Sequence, residues 1–66
     1  MTYQLFDEND EPAVDIPCDD IIEAQEWALN WARSKASADH YLVRHDGKDT
    51  AQLFHAAGGQ WYWMSR

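Results

Sequence analysis

The chain has 66 residues, with twelve Asp or Glu against five Lys or Arg and a net charge of −7. That length predicts one domain, residues 1–66, which hides only about 60% of the surface of its unfolded chain. One cysteine rules out an internal disulfide, no apolar run approaches the roughly 20 residues of a bilayer span, and the segment after Met1 lacks the basic-then-apolar order of a secretory leader. The expected setting is therefore reducing and cytoplasmic.

Residues 2–6 alternate as a strand does, with Tyr3 and Leu5 opposite Gln4 and Phe6. The polar stretch from Asp7 to Pro12 predicts a turn, and residues 13–16 alternate again around Val14 and Ile16. Together they predict a hairpin whose second strand ends at Pro17 and lies at a sheet edge.

Asp20 followed by Glu23 has the spacing of a capping box. Stepping 100° per residue places Ile21, Ile22, Ala24, Trp27, Ala28, Leu29, Trp31, Ala32 and Ala36 on one arc. Glu23, Glu26, Asn30, Arg33, Ser34 and Ser37 fill the other, with Gln25 and Lys35 as misfits. An amphipathic helix over 20–37 follows, acidic at its start and basic at its end, as its dipole favours.

Three strands are expected after the helix, at 40–45, 50–55 and 60–64. Asp46-Gly47 separates the first two and Ala56-Ala57-Gly58-Gly59 the last two, which predicts an antiparallel meander. The fold class is α+β, one amphipathic helix on an antiparallel sheet in the order β(β)αβββ. Nine aromatics, four of them Trp, supply the core of a chain without a covalent staple. In the last strand Trp61 and Trp63 point one way and Tyr62 and Met64 the other, so one pair is left near solvent. Trp61, Trp63 and Tyr62 are the candidate aromatic interface.

The charges are unevenly placed. Residues 1–32 hold nine acids (Asp7, Glu8, Asp10, Glu11, Asp15, Asp19, Asp20, Glu23 and Glu26) and no Lys or Arg, while residues 33–66 hold three acids and five bases. The halves thus carry −9 and +2. Such a field repels nucleic acid and membranes and attracts a basic protein. If the first hairpin folds beside the helix start, the nine make a continuous acidic band. Carboxylates so arranged can imitate phosphates in the Lys/Arg groove of a nucleic-acid-binding protein. The nine are the expected partner contacts.

Other chemistry is poorly supported by the spacing. Cys18 precedes the helix, but Asp19 and Asp20 oppose its ionisation, so it is expected to be a half-buried structural thiol. His40, His45 and His55 lack the helical spacing of a zinc site, although His45 and His55 could meet across neighbouring strands. Asp7, Asn9 and Glu11 begin like a calcium loop, which then fails at Pro12 and Cys18. Gly58-Gly59 has no following helix to cradle phosphate. Tyr41, Phe54, Trp61 and Tyr62 could stack bases, but a positive groove to hold the backbone is missing. No enzyme, no metal and no cofactor are expected.

In size, acidity, Trp content and strand–helix–meander order, the chain resembles the small acidic proteins of phages and mobile elements, including DNA-mimicking anti-CRISPR inhibitors. That resemblance implies inhibition of a nucleic-acid-binding protein or complex by occupation of its basic groove. It assigns no individual residue. The alternative expectation is a structural or assembly domain that self-associates through an aromatic sheet face; the expected oligomeric state is a monomer or weak homodimer.

Overall fold

Local chemistry fixes the turns on which the sheet is built. In the computed structural model, which describes residues 2–66, Asp46 and Gly47 take φ of 57° and 79° between β3 (His40–His45) and β4 (Lys48–His55). Positive φ at both central residues matches the right-handed twist of the flanking strands, and it favours Asp-Gly. Gly58 and Gly59, at φ 99° and 87°, turn the chain from β4 into β5 (Trp61–Ser65). Between β1 (Tyr3–Phe6) and β2 (Pro12–Ile16), the Asp7 carboxylate accepts the N–H groups of Asn9 and Glu11 at 2.9 and 3.0 Å.

The five strands form one antiparallel sheet in the order β2-β1-β3-β4-β5. The C-terminal meander is present, and β2 is an edge, as Pro17 implied. The first strand takes an interior position, paired to β2 on one side and β3 on the other. Since β2 and β3 both run antiparallel to β1, they run parallel to each other, and the helix is the crossover between them.

That helix, α1, spans Ile21–Lys35. The Asp20 carboxylate caps it, accepting the N–H groups of Ile22 and Glu23 at 3.1 and 3.2 Å. It ends two residues before the expected Ser37 because Ala36 turns to extended backbone, with φ −66° and ψ 135°. Its fully covered stripe is Ala24, Ala28 and Ala32, one residue per turn. Small side chains let the helix lie close over the sheet, where Tyr3, Leu5, Ile16, Tyr41, Val43, Ala51 and Leu53 complete the core.

All four Trp pack against this core as half-buried flanks. Trp31 meets Tyr41 edge-on at 5.4 Å, and Tyr41 meets Trp61 at 6.0 Å. Ile21 and Ile22 depart from the expected buried arc: they are 39% and 66% exposed. They sit in the first turn of the helix, directly after the chain has left the edge strand β2.

Candidate functional site

The sheet has one covered and one open face. Register places Trp61 and Trp63 with Leu53 and Tyr41 on the helix side, and Tyr62 with Phe54 on the other. The three residues of the candidate aromatic interface therefore do not share a surface. Tyr62, 45% exposed, and Met64, 54% exposed, share this open face with the half-buried Phe54, Leu42 and Phe6. The Phe54 and Tyr62 rings lie 5.6 Å apart, and Arg44 stacks 4.4 Å over Phe6. Sequence reasoning found only the last strand of this face. Alternation at Leu42 and Phe54 was the missed signal, for each is flanked by buried neighbours on the opposite side.

The nine front-half carboxylates are divided between the two ends of the molecule. The Asp7–Glu11 turn does not fold beside the helix start, because β1 and β2 both have their turn ends at the opposite end of the sheet. Asp7 and Glu8 instead border a cleft with Ser37, Ala38 and Asp39, just beyond the helix C-terminus. A helix of 15 residues is about 22 Å long. That is roughly two screening lengths at 0.1 M salt, so the two ends act as separate charges and the continuous band is not formed.

Within the turn, Glu8 and Glu11 are exposed, whereas Asp10 bonds Arg44 at 2.6 Å. Arg44 also holds Asp49 at 2.9 Å, and Asp49 holds Arg66 at 3.3 Å. These bonds, that to Asp49 foremost, raise the Arg44 guanidinium above its ordinary pKa despite partial desolvation. The exposed Asp10 charge is thus offset by Arg44 at the surface. Asp15 lies on β2, where it accepts the Gln4 side-chain amide at 2.9 Å.

The other group is better concentrated. Asp19, Asp20, Glu23 and Glu26 are exposed along the first two turns of the helix and its approach. The convergence of Asp19, Asp20 and Glu23 is visible at Cys18. Burial first, then the charges of Glu23, Asp19 and Asp20, push its thiol above the ordinary 9.0. Among the described residues no Lys or Arg pairs with Asp20, Glu23 or Glu26. Exposed Ile21 and Ile22 lie among these acids, giving the pole an apolar centre.

His45 and His55 are kept apart. His45, which stacks on Tyr3 at 4.1 Å, is at the turn end of the β3–β4 hairpin, and His55 is at its far end against Trp61. The meeting considered from sequence does not occur. No three His, Cys, Asp or Glu gather as a metal site among the described residues, and no helix there is long and apolar enough to cross a membrane. Comparison with protein families, curated proteins and solved structures found no match.

Proposed function

We propose that this protein is an acidic binding module for a basic protein, and that it inhibits that partner by occupying a groove used for nucleic acid. The carrying observation is the helix-start pole: Asp19, Asp20, Glu23 and Glu26 are all exposed on the helix start and its approach, and Glu23, Asp19 and Asp20 act together on the Cys18 thiol. A capped helix holds them on a rigid element, so less entropy is lost on binding than for a flexible acidic tail. Glu23 and Glu26 are three apart on the helix, about 5–6 Å between Cβ atoms. Ile21 and Ile22 add apolar contact beside the charges. The contact set is narrower than the nine acids expected from sequence, because the Asp7–Glu11 turn is too distant to share one groove with this pole.

The test is a pull-down with the immobilised protein, eluted either by salt or by double-stranded DNA. A captured basic protein should be released by DNA and should lose affinity steeply between about 50 and 200 mM salt. Glu23→Lys/Glu26→Lys should capture nothing. Retention at high salt, or no displacement by DNA, removes mimicry.

A further inference from the structure

The two edges of the sheet differ in how they are protected. The β2 edge begins with Pro12, is followed by Pro17, carries Asp15 and has a register break against β1 between Leu5 and Phe6. Prolines, charges and irregularities are the devices that stop an edge from recruiting another strand. The β5 edge has none of them: Trp-Tyr-Trp-Met-Ser contains no charge and no proline, and its pairing with β4 is unbroken.

The hydrogen-bond phase along β5 shows which backbone groups face outward. Ala56 donates to Gln60 at 2.8 Å and Arg66 donates to Thr50 at 3.0 Å, each between residues opposite one another. Bonded and non-bonded pairs alternate in an antiparallel ladder. Gln60, Tyr62, Met64 and Arg66 therefore direct their backbone groups to β4, and Trp61, Trp63 and Ser65 direct theirs away from the sheet. An outward N–H or C=O on an apolar strand is a vacant place in a ladder.

We propose that this edge pairs with a second copy of the chain, β5 against β5, antiparallel about a two-fold axis at Trp63. The register that overlaps the whole strand sets Trp63 opposite its own copy and Trp61 opposite Ser65 of the partner subunit. It satisfies every outward backbone group, as a closed two-fold contact requires. Tyr62 then lies opposite Met64 of the partner subunit on the open face, where sulfur–aromatic contact is favourable. Charge distribution selects the same edge. Strand β5 carries no acidic side chain, whereas the opposite edge strand β2, four spacings or about 19 Å away, carries Asp15. Two molecules of charge −7 therefore meet along an edge strand that places no carboxylate opposite another. This pairing is independent of the acidic-pole reading. Screening self-repulsion with salt strengthens it, whereas salt weakens binding to a basic partner.

Amide hydrogen exchange on the full chain, at about 20 µM and about 1 mM, tests it directly. The amides of Trp61, Trp63 and Ser65 should slow with concentration, while those of Tyr62 and Met64 stay protected throughout. In sedimentation, Tyr62→Glu/Met64→Glu should be monomeric, Tyr62→Lys/Met64→Glu should keep the dimer, and Leu42→Glu, in the middle of the open face, should keep it too. A monomeric wild-type chain at about 1 mM, or Trp61, Trp63 and Ser65 amides indifferent to concentration, overturns the proposal. A dimer abolished by Leu42→Glu overturns it in favour of stacking through the open face.

Discussion

The hydroxyl of Tyr41, on the central strand β3, accepts the backbone N–H of Ser37 at 3.0 Å and the next N–H, of Ala38, at 3.1 Å. One phenol therefore ties the loop that follows the helix to the middle of the sheet. Its ring is 1% exposed and sits between Trp31 and Trp61. Tyr41→Phe keeps the ring and removes the acceptor for both amides. It should cost about 1–3 kcal/mol in urea unfolding, with an unchanged slope.

The alanine stripe sets how closely the helix approaches the sheet. Ala28 is fully covered at the middle of that stripe. Ala28→Leu adds volume where none is free and should destabilise by about 1–3 kcal/mol, although leucine is apolar and a good helix former. Thermal melts of Ala28→Leu against the exposed control Ser34→Leu separate packing from propensity.

Asp20 has two roles that substitution can divide. Asp20→Ala removes the cap and should cost about 1 kcal/mol. Asp20→Asn keeps a capping oxygen and removes the charge. It should leave stability near wild type while reducing affinity for a basic partner. Equal loss of stability in both variants would contradict the separation.

Excess negative charge should be measurable in the isolated protein. Raising salt from about 10 to about 200 mM screens repulsion among the exposed carboxylates, and a gain of about 1 kcal/mol corresponds to a melting temperature higher by about 4–8 °C for a domain of this size. Glu23→Gln should reduce that salt response, because it removes one charge from the densest group.

Cys18 should respond to alkali. Its thiol is held above its ordinary value by burial and then by Glu23, Asp19 and Asp20, so the folded state keeps the proton more tightly than the unfolded state. The associated stability is complete below the unfolded thiol value of 9.0 and falls as pH rises past it. Cys18→Ser should flatten that decline. Alkylation at pH 8 should be slower in the folded protein than in urea, and Glu23→Gln should quicken it.

The element order could be read from the chain because each signal is local. Asp46-Gly47 specifies its turn through two positive φ angles, Asp20 specifies a helix start through its own carboxylate, and Pro17 marks an edge by lacking a donor. The helix end was less legible. Ser37 continues the polar pattern, but Tyr41 draws the Ser37 and Ala38 amides into bonds with the sheet. Ile21 and Ile22 fit the apolar arc in angle, yet periodicity carries no information about how far the underlying sheet extends.

By itself, then, the sequence determined the alternation of strands, the capped helix, the meander and the acidity of the front half, since these follow from residue type and spacing within a few positions. Tertiary structure decided where the acids lie. By inserting β1 between β2 and β3 it made the helix a crossover whose end returns beside Asp7 and Glu8, leaving the acidic helix start at the opposite end. It also decided that Trp61 and Trp63 face the helix while Tyr62 and Met64 remain open. Sheet order and the covering of a face are set by long-range packing of the whole core, which no short window of the chain contains.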